Sequence, residues 1–219
     1  MDEQMKEDIK KEVTEGSAPE DNEPQEESNS FLKEFLNDLK ILVVAFIVCL
    51  VLTRVVFVNA HVPSSSMENT IMTGDRVLGF RLAYTFGEPE RGDIIIFKYP
   101  VDEDVLYIKR VIGLPGETVS IDDGNIYVDG VLLEEDYLPE EWVSGNDGYV
   151  FEVPEGHYLM MGDNRNVSVD ARYWAAEALA EGIADSASEA DEYTYVAKEK
   201  MVAKALFVFW PFKDIRAVW

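Results

Sequence analysis

An uninterrupted apolar run, ILVVAFIVCLVL at residues 41–52, is the feature of this 219-residue chain that most limits its fold. Continued to Val62, the run reaches 22 residues, the length that a helix needs to cross a hydrocarbon layer of roughly 30 Å. The first twelve residues alone, followed by VNA at 58–60, would also suit a cleavable secretory signal. Its length and the sequence after it favour a retained anchor at 41–62, that is, a single N-terminal transmembrane helix.

The chain before this run has two parts. Residues 1–30 carry eleven acidic residues and three lysines, with no large apolar residue after Val13, which predicts a disordered acidic tail. Residues 31–40, FLKEFLNDLK, place apolar side chains at helical spacing and predict an amphipathic lead-in to the anchor. Lys33 and Lys40 at the start of the anchor favour a cytoplasmic N-terminus.

Composition excludes several classes of function. The net charge is −24, from 43 acidic and 19 basic residues, which argues against nucleic-acid binding because phosphate contacts need clustered cations. The single cysteine, Cys49, lies in the apolar run and excludes an intrachain disulfide. Cysteine and histidine do not recur at the spacing of metal ligands, so we expect no metal site.

After residue 62 the pattern changes to short β-type runs separated by Gly, Pro and Asp. Asp-Gly pairs at 123–124 and 129–130 predict tight hairpin turns. Frequent strands without intervening helices predict a mainly β, antiparallel domain over residues 63–219. The predicted strands are 76–82, 93–100, 105–114, 118–122, 125–133, 149–153, 157–162 and 201–212.

One segment of this domain departs from the β pattern. Residues 175–197, AAEALAEGIADSASEADEYTYVA, are dominated by alanine and acidic residues. They predict a short helix or mobile loop inserted into the β-domain. We expect this insert to contribute little to the core and to tolerate shortening.

A serine nucleophile needs a base, and the chain offers two kinds. His61 and His157 are the two histidines, and a solvated loop histidine is the simpler interpretation of each. Lysine can serve if burial keeps its amine neutral. Lys109 lies in VLYIKRVIGL, where strand alternation puts Lys109 and Arg110 on opposite faces, so one of the two cations must point toward a buried side. Arg110 also adds a like charge nearby, although a lysine whose amine reaches solvent is the simpler interpretation.

A second polar stretch, MGDNRNVSVDARYW at residues 161–174, lies between two apolar runs. Its carboxylates and arginines are suited to bidentate pairing that would stiffen a loop. A purely structural loop is the simpler interpretation here.

Five fragments taken in order behind a membrane anchor resemble the type I signal peptidases, the bacterial leader peptidase family. They are PSSSM (63–67), GDRVLGFRLAY (74–84), RGDIIIFKYP (91–100), YIKRVIGLPGE (107–117) and MGDNRNVSVDAR (161–172). The resemblance runs from the membrane segment to the last strand, without the acidic tail and the insert. It implies a membrane-bound serine endopeptidase of mainly β fold that removes signal peptides from exported preproteins without a cofactor.

The resemblance also implies roles for individual residues. The serine before Met67, Ser66, matches the nucleophile, and Lys109 matches the general base. Ser64 matches the serine whose hydroxyl joins the Ser66 backbone N–H in an oxyanion hole. In the polar stretch, Ser168 matches the serine that orients the lysine, and Asp170 and Arg172 match a pair that braces the site.

Partners and location follow from the same resemblance. The expected partners are signal peptides, with small residues at the first and third positions before the cut, and the lipid bilayer. The expected location is the cell membrane, single-pass, with the catalytic domain on the extracytoplasmic side and in proximity to the secretion translocon.

The chain departs from the family pattern at support positions. Asn69 stands where the family usually has Pro, Val167 where it has Asn, and Ala171 where it has Ser. Lys109 favours the bacterial form over the endoplasmic-reticulum enzymes, which carry histidine there.

Two alternatives were weighed against this interpretation, and the sequence excludes the first. A penicillin-binding protein or β-lactamase needs Lys three residues after its serine, and position 69 is Asn. The alternative from another class is a catalytically silent, membrane-anchored β-domain that binds peptides or a partner.

Overall fold

The computed structural model describes residues 25–138 and 147–218, with side chains from residue 31 onward. The chain divides into two compact units, Met1–Val48 and Cys49–Trp219. Most of the tail predicted at 1–30 lies outside the described residues, and from Gln25 the backbone is helical.

The N-terminal part of the described chain is one long helix, α1, Gln25–Val51, followed by a π-helical turn at Leu52–Val56. The predicted lead-in at 31–40 is a continuous part of α1. Within the described residues, the stretch Phe31–Val56 is long and apolar enough to cross a membrane by length and composition, and none of it is buried. This helix fits a single-pass membrane anchor.

The predicted end of the anchor is wrong. Helical structure ends at Val56, and Phe57–His61 form strand β1, which pairs antiparallel with β2, Arg76–Phe80. An apolar, β-branched run reads alike as lipid-facing helix and as half-buried strand, so the sequence could not show the change. The β-domain therefore begins at Phe57, six residues before the predicted boundary.

The remaining elements alternate short strands with few helices. In chain order they are α2 Ala83–Phe86, β3 Ile94–Lys98, β4 Leu106–Gly113, β5 Thr118–Asp122, β6 Asn125–Val128, β7 Val131–Leu132, β8 Val150–Glu152, β9 His157–Met161, α3 Ala171–Ala180, α4 Ala187–Ala190, a 3-10 turn Asp191–Thr194, β10 Val196–Ala197, a 3-10 turn Lys198–Lys200, β11 Met201–Trp210, a 3-10 turn Phe212–Asp214 and β12 Arg216–Ala217.

In the described part of the chain these strands form two sheets. The larger has the order β1-β2-β11-β3-β4-β9-β10, with β12 paired to β11, and the smaller has the order β7-β6-β5-β8. All their pairings are antiparallel, which confirms the predicted mainly β, antiparallel fold behind an N-terminal apolar helix. The two Asp-Gly pairs have positive φ at both residues, 46° and 72° at 123–124 and 50° and 78° at 129–130, as tight hairpin turns require.

Strand β3 separates two hydrophobic cores. Ile95 and Phe97 point into the larger core, which also receives Trp174 and the apolar residues of β9. Ile94 points into a smaller core. The other members of this smaller core are Val62, Met67, Ile71, Val77, Ala205, Val208 and Val218. Both faces of β3 are thus buried, which explains its unbroken apolar sequence.

The expectation that the 175–197 insert adds little to the core is wrong. Ala178, Ala184, Ala190 and Val196 are all buried in the larger core. Tyr99 also donates a hydrogen bond of 2.5 Å to Glu177 on α3. Small side chains allow the backbone of this segment to pack closely, so its lack of large apolar residues did not mean that it was peripheral.

Two alanines of α4 test this packing with the same substitution. Ala190 is 1% exposed, whereas Ala187 is exposed. Ala190→Asp buries a carboxylate, and we expect the free energy of unfolding to fall by at least about 2 kcal/mol. Ala187→Asp is the control and should change it by less than about 0.5 kcal/mol. Denaturant unfolding of the full chain in detergent measures both, and equal small effects would show that the insert is not part of the core.

Candidate active site

Three serines, residues 64–66, follow β1 in a loop, which we call the serine loop. Apolar side chains of this loop are buried and fix its position. Val62, Met67 and Ile71 are at most 1% exposed and belong to the smaller core. The Ile71 N–H donates to the Met67 carbonyl at 2.8 Å, closing a tight turn. Met67 therefore holds its neighbour Ser66 in place at the edge of this core.

Ser66 lies directly against Lys109. The Lys109 side chain comes from the middle of β4, where the residue is opposite Ile95 of β3. Its Nζ is 2.8 Å from the Ser66 Oγ, and the two residues are 4% and 7% exposed. The fold thus brings a hydroxyl and an amine, 43 residues apart in sequence, into a buried hydrogen bond.

The position of the Lys109 amine changes its acidity. Burial lowers the pKa of Lys109 from 10.5 to about 8, Asp170 and Asp163 oppose this shift, and Arg172 adds to it. The like charge that lowers this pKa is thus Arg172, whereas the sequence had pointed to Arg110. A large fraction of the amine is neutral near pH 8, and a neutral amine can accept the proton of a serine hydroxyl.

Arg110 occupies the opposite face of β4, and that face is buried too. Its Nε and Nη2 donate to the two carboxylate oxygens of Asp163 at 2.8 and 2.7 Å, and its Nη1 donates to the Gly92 carbonyl at 2.9 Å. The predicted alternation of Lys109 and Arg110 is present, but both cations point into the protein. The simpler interpretation, a lysine whose amine reaches solvent, is wrong.

Ser64 lies beside the same hydroxyl. Its Oγ is 3.4 Å from the Ser66 Oγ, and the residue is exposed to solvent. The structure therefore brings Ser64 to the site, and its role in an oxyanion hole stays a prediction.

Asp170 and Arg172 form a fully buried ion pair. The Arg172 Nε and Nη2 donate to the two Asp170 oxygens at 2.8 and 2.9 Å. Arg172 also donates to the carbonyls of Arg165 and Ser168 at 2.8 and 3.3 Å, and Asp170 accepts from the Gly162 N–H at 3.1 Å. This pair ties together the backbone of the polar loop.

Ser168 lies in the site but does not make the predicted contact. The residue is 2% exposed, and within the described part of the protein its Oγ has no hydrogen-bond partner. The hydrogen bond to Lys109 that the resemblance implied is absent from this structure. Its backbone N–H instead donates to the Asn164 carbonyl at 2.9 Å, as does the Val167 N–H at 3.1 Å.

Gly162 is a site residue that the sequence reasoning missed. A Cβ at this position would lie 2.4 Å from the Ser66 carbonyl oxygen and 2.3 Å from the Ser168 Oγ. Such distances are far below van der Waals contact, so only glycine lets the end of β9 approach the serine loop this closely. The one available signal was a glycine at the point where an apolar strand meets a polar loop.

A cleft of about 540 Å³ opens beside Ser66 and Lys109, which we call the dyad. Its walls come from β1, the serine loop, the first half of β4, and two valines of the polar loop. The apolar lining residues include Ala60, Val62, Ile96, Val105, Leu106, Ile108, Val167 and Val169. A somewhat larger cavity, about 610 Å³, lies near His157 and Tyr195, but neither dyad residue lines it. The smaller cleft is therefore the better candidate for substrate.

The other candidates from the sequence do not form a site. His61 is exposed on β1, and His157 contacts the backbone carbonyl of Glu155 through its Nδ1 at 3.0 Å. Among the described residues, no group of His, Cys, Asp and Glu could hold a metal ion.

Comparison with known proteins points to one family. The family model for signal peptidases, peptidase S26, matches residues 35–210. A probable signal peptidase I-2 of Synechocystis is 34% identical over 180 residues, which is 78% of this chain and 72% of that protein. A signal peptidase I of Bacillus licheniformis is 31% identical over 201 residues, 88% of this chain and 97% of that protein.

The chain belongs to the signal peptidase family S26. It is thus an enzyme of the signal peptidase I type, a serine endopeptidase. A crystal structure of a signal peptidase I from Enterococcus faecalis is 32% identical and covers 54% of this chain and 97% of that one, with a TM-score of 0.40.

The close approach at Gly162 gives a direct test of the site. In Gly162→Ala the new methyl group must displace the Ser66 backbone or the Ser168 side chain, and we expect kcat to fall about 10²-fold, the effect of a misplacement near 1 Å. Gly87→Ala is the control, because its backbone is extended and its Cβ would meet only Ala83 O, at 3.2 Å. Peptide-cleavage kinetics with circular dichroism of both variants decide it. An unchanged kcat in Gly162→Ala would mean that this contact does not position the serine.

Proposed function

We propose that this protein is a membrane-bound serine endopeptidase that removes N-terminal signal peptides from exported preproteins, with Ser66 as nucleophile and Lys109 as general base. The observation that carries the proposal is the buried contact of 2.8 Å between the Lys109 Nζ and the Ser66 Oγ. Membership in the signal peptidase family supplies the substrate class.

In the first step, the neutral Lys109 amine takes the proton of the Ser66 hydroxyl while the Oγ attacks the scissile carbonyl carbon. The negative charge that develops on the carbonyl oxygen needs donors, and the Ser66 backbone N–H with the Ser64 hydroxyl would supply them. The carbon–nitrogen bond then breaks, and Lys109 returns the proton to the leaving amine. The signal peptide remains as an ester on Ser66.

In the second step, water resolves the ester. The neutral Lys109 amine removes a proton from a water molecule as its oxygen attacks the ester carbon. The carbon–oxygen bond to Ser66 breaks, the Ser66 Oγ regains a proton from Lys109, and the signal peptide leaves with a free carboxyl group. Serine and lysine return to their starting states, so neither step needs a cofactor.

The cleft suits an extended peptide. β1 is an edge strand of the larger sheet, and residues 106–109 of β4 pair with β3 on one side but precede the pairing with β9, which begins at Arg110. Backbone groups on both walls are thus available to an added strand. The apolar lining suits apolar side chains before the cut. That they are small at the first and third positions is what the resemblance to the family implies.

The anchor places this chemistry where signal peptides emerge. We assign the segment up to residue 30 to the cytoplasmic side, the helix to the membrane, and the domain from Phe57 to the extracytoplasmic side, near the secretion translocon. Ser66 follows Val56 by ten residues, so the chain alone keeps it within about 36 Å of the end of the span. Confinement to the membrane plane raises the effective concentration of enzyme and substrate without a new contact.

Substitution of the dyad tests the proposal. Ser66→Ala and Lys109→Ala should each lower kcat at least about 10³-fold, and the double variant should be little worse, because the two residues act as a unit. Ser65→Ala and Lys98→Ala are matched controls, a neighbouring serine and an exposed lysine, and should stay within about threefold of wild type. The measurement is cleavage of a preprotein by the full chain in detergent.

Either of two results would contradict the mechanism. Cleavage by Ser66→Ala at the wild-type rate would assign the nucleophile elsewhere. A folded wild type that binds signal peptides but cuts none would favour the silent peptide-binding domain.

The pH dependence tests the base. Because Lys109 must be neutral, kcat/KM should rise with pH through an apparent pKa of about 8. Lys109→Arg keeps the charge but cannot lose a proton in this range, so it should be inactive at every pH. A profile governed by a pKa near 6.5 that persists in Lys109→Arg and disappears on substitution of His61 or His157 would assign the base to histidine instead.

A further inference from the structure

A short segment at residues 134–138 leads from the smaller sheet to the active site. It follows β7, and the Leu133 N–H donates to the Ile126 carbonyl of β6 at 2.8 Å. Two of its side chains reach the dyad's surroundings, Glu135 toward the polar loop and Tyr137 toward β4. The roles set out above do not include either residue.

Glu135 forms a buried ion pair with Arg165. The two side chains are 5% and 1% exposed, the Arg165 Nη1 donates to one carboxylate oxygen at 2.9 Å, and its Nη2 donates to the other. Desolvation makes a buried ion pair weak evidence for stability. Its bidentate geometry does, however, fix the guanidinium in one orientation.

That orientation bears on the backbone next to the nucleophile. The Arg165 Nε donates to the Gly162 carbonyl at 2.9 Å, and the Gly162 N–H donates to Asp170 at 3.1 Å. The Gly162 peptide groups are therefore held from both sides. Gly162 in turn packs against the Ser66 carbonyl oxygen and the Ser168 hydroxyl, with no room even for a methyl group.

Tyr137 connects the same segment to the strand of the base. Its ring lies 3.8 Å from the guanidinium carbon of Arg110, the residue after Lys109. Its hydroxyl donates to Glu135 and accepts from the Arg165 Nη2 at 3.5 Å. The segment thus contacts both halves of the site, the loop behind Ser66 and the strand of Lys109.

We propose that Glu135 is a positioning residue for catalysis, which acts through Arg165 on Gly162 and so fixes the backbone against which Ser66 and Ser168 pack. Tyr137 supports it by holding the Glu135 carboxylate and stacking on Arg110. This inference rests on the Ser66–Lys109 mechanism proposed above. It gives the smaller sheet a part in the reaction at a site formed by the larger one.

Three neighbouring carboxylates allow a matched test. Glu135→Gln keeps the shape of the side chain and removes its charge, whereas Glu134→Gln and Asp136→Asn make the same change at exposed neighbours. We expect Glu135→Gln to lower kcat per folded molecule by about 10- to 100-fold, with KM within about twofold of wild type. The two controls should keep the wild-type kcat.

Two further variants separate positioning from folding. Glu135→Asp restores a carboxylate and should recover part of the lost kcat. If Glu135 acts through Arg165, adding Glu135→Gln to Arg165→Gln should lower kcat by less than about twofold more. The folded fraction at the assay temperature comes from unfolding curves, so a loss of folded protein is not counted as a loss of kcat.

Several outcomes would overturn the inference. These are a wild-type kcat per folded molecule in Glu135→Gln, equal losses in the two controls, or additive losses in the double variant. If Glu135→Gln does not fold, Glu135→Asp and Tyr137→Phe decide, and a wild-type kcat in both overturns it. Wild type and Ser66→Ala in the same assay separate the two proposals. A wild type that does not cut contradicts the proposed function, and the inference falls with it. A wild type that cuts, with a Glu135→Gln variant that is equally fast, contradicts the inference alone.

Discussion

The burial of the Lys109 amine is the constraint on which the rest of the site depends. A lysine 4% exposed in a central strand loses the hydration of its charge, and its pKa falls from 10.5 to about 8. The fall corresponds to a cost on the order of 3 kcal/mol for holding the amine charged in the folded protein. The folded state binds fewer protons than the unfolded state between these two values, so the cost is full below pH 8 and disappears as pH rises toward 10.5. Lys109 therefore destabilises the folded protein most below about pH 8, where its amine is charged.

The neighbouring charges explain how the amine keeps a low pKa among carboxylates. Asp170 and Asp163 both favour the charged form of Lys109, and either one, left unpaired, would act as its counterion. Each is instead paired bidentately with an arginine, Asp170 with Arg172 and Asp163 with Arg110. Guanidinium groups stay charged at any relevant pH, so the carboxylates are already neutralised when substrate arrives. The two arginines thus prevent Asp170 and Asp163 from acting as counterions of Lys109, and they also hold the loops that they contact in place.

The sequence predicted the strands more reliably than the contacts between them. Alternation and Asp-Gly turns are local properties, so the hairpins at 123–124 and 129–130 could be predicted from a few residues. The end of the anchor could not, since Phe57 and Val58 suit a strand as well as a membrane helix. Gly162 and Glu135 were missed because their significance depends on what lies opposite them, which is set by the packing of distant elements. Likewise, the alanines of the insert gave no sign that they fill the larger core.

Asp170 shows how far this insert is joined to the site. It is the N-cap of α3 and accepts from the Arg172 backbone N–H, and the same carboxylate pairs with the Arg172 guanidinium and accepts from Gly162. A capping aspartate fixes the first turn of its helix, so the position of α3 and the position of the loop behind Ser66 are set by one side chain. Downstream, α3 carries Trp174 and Ala178 into the larger core that lies beneath β4. Helix α3 thus runs from Asp170, which is hydrogen-bonded to Gly162 behind Ser66, into the 175–197 segment whose composition suggested a dispensable appendage. The packing of that segment therefore helps to hold Asp170 in its orientation.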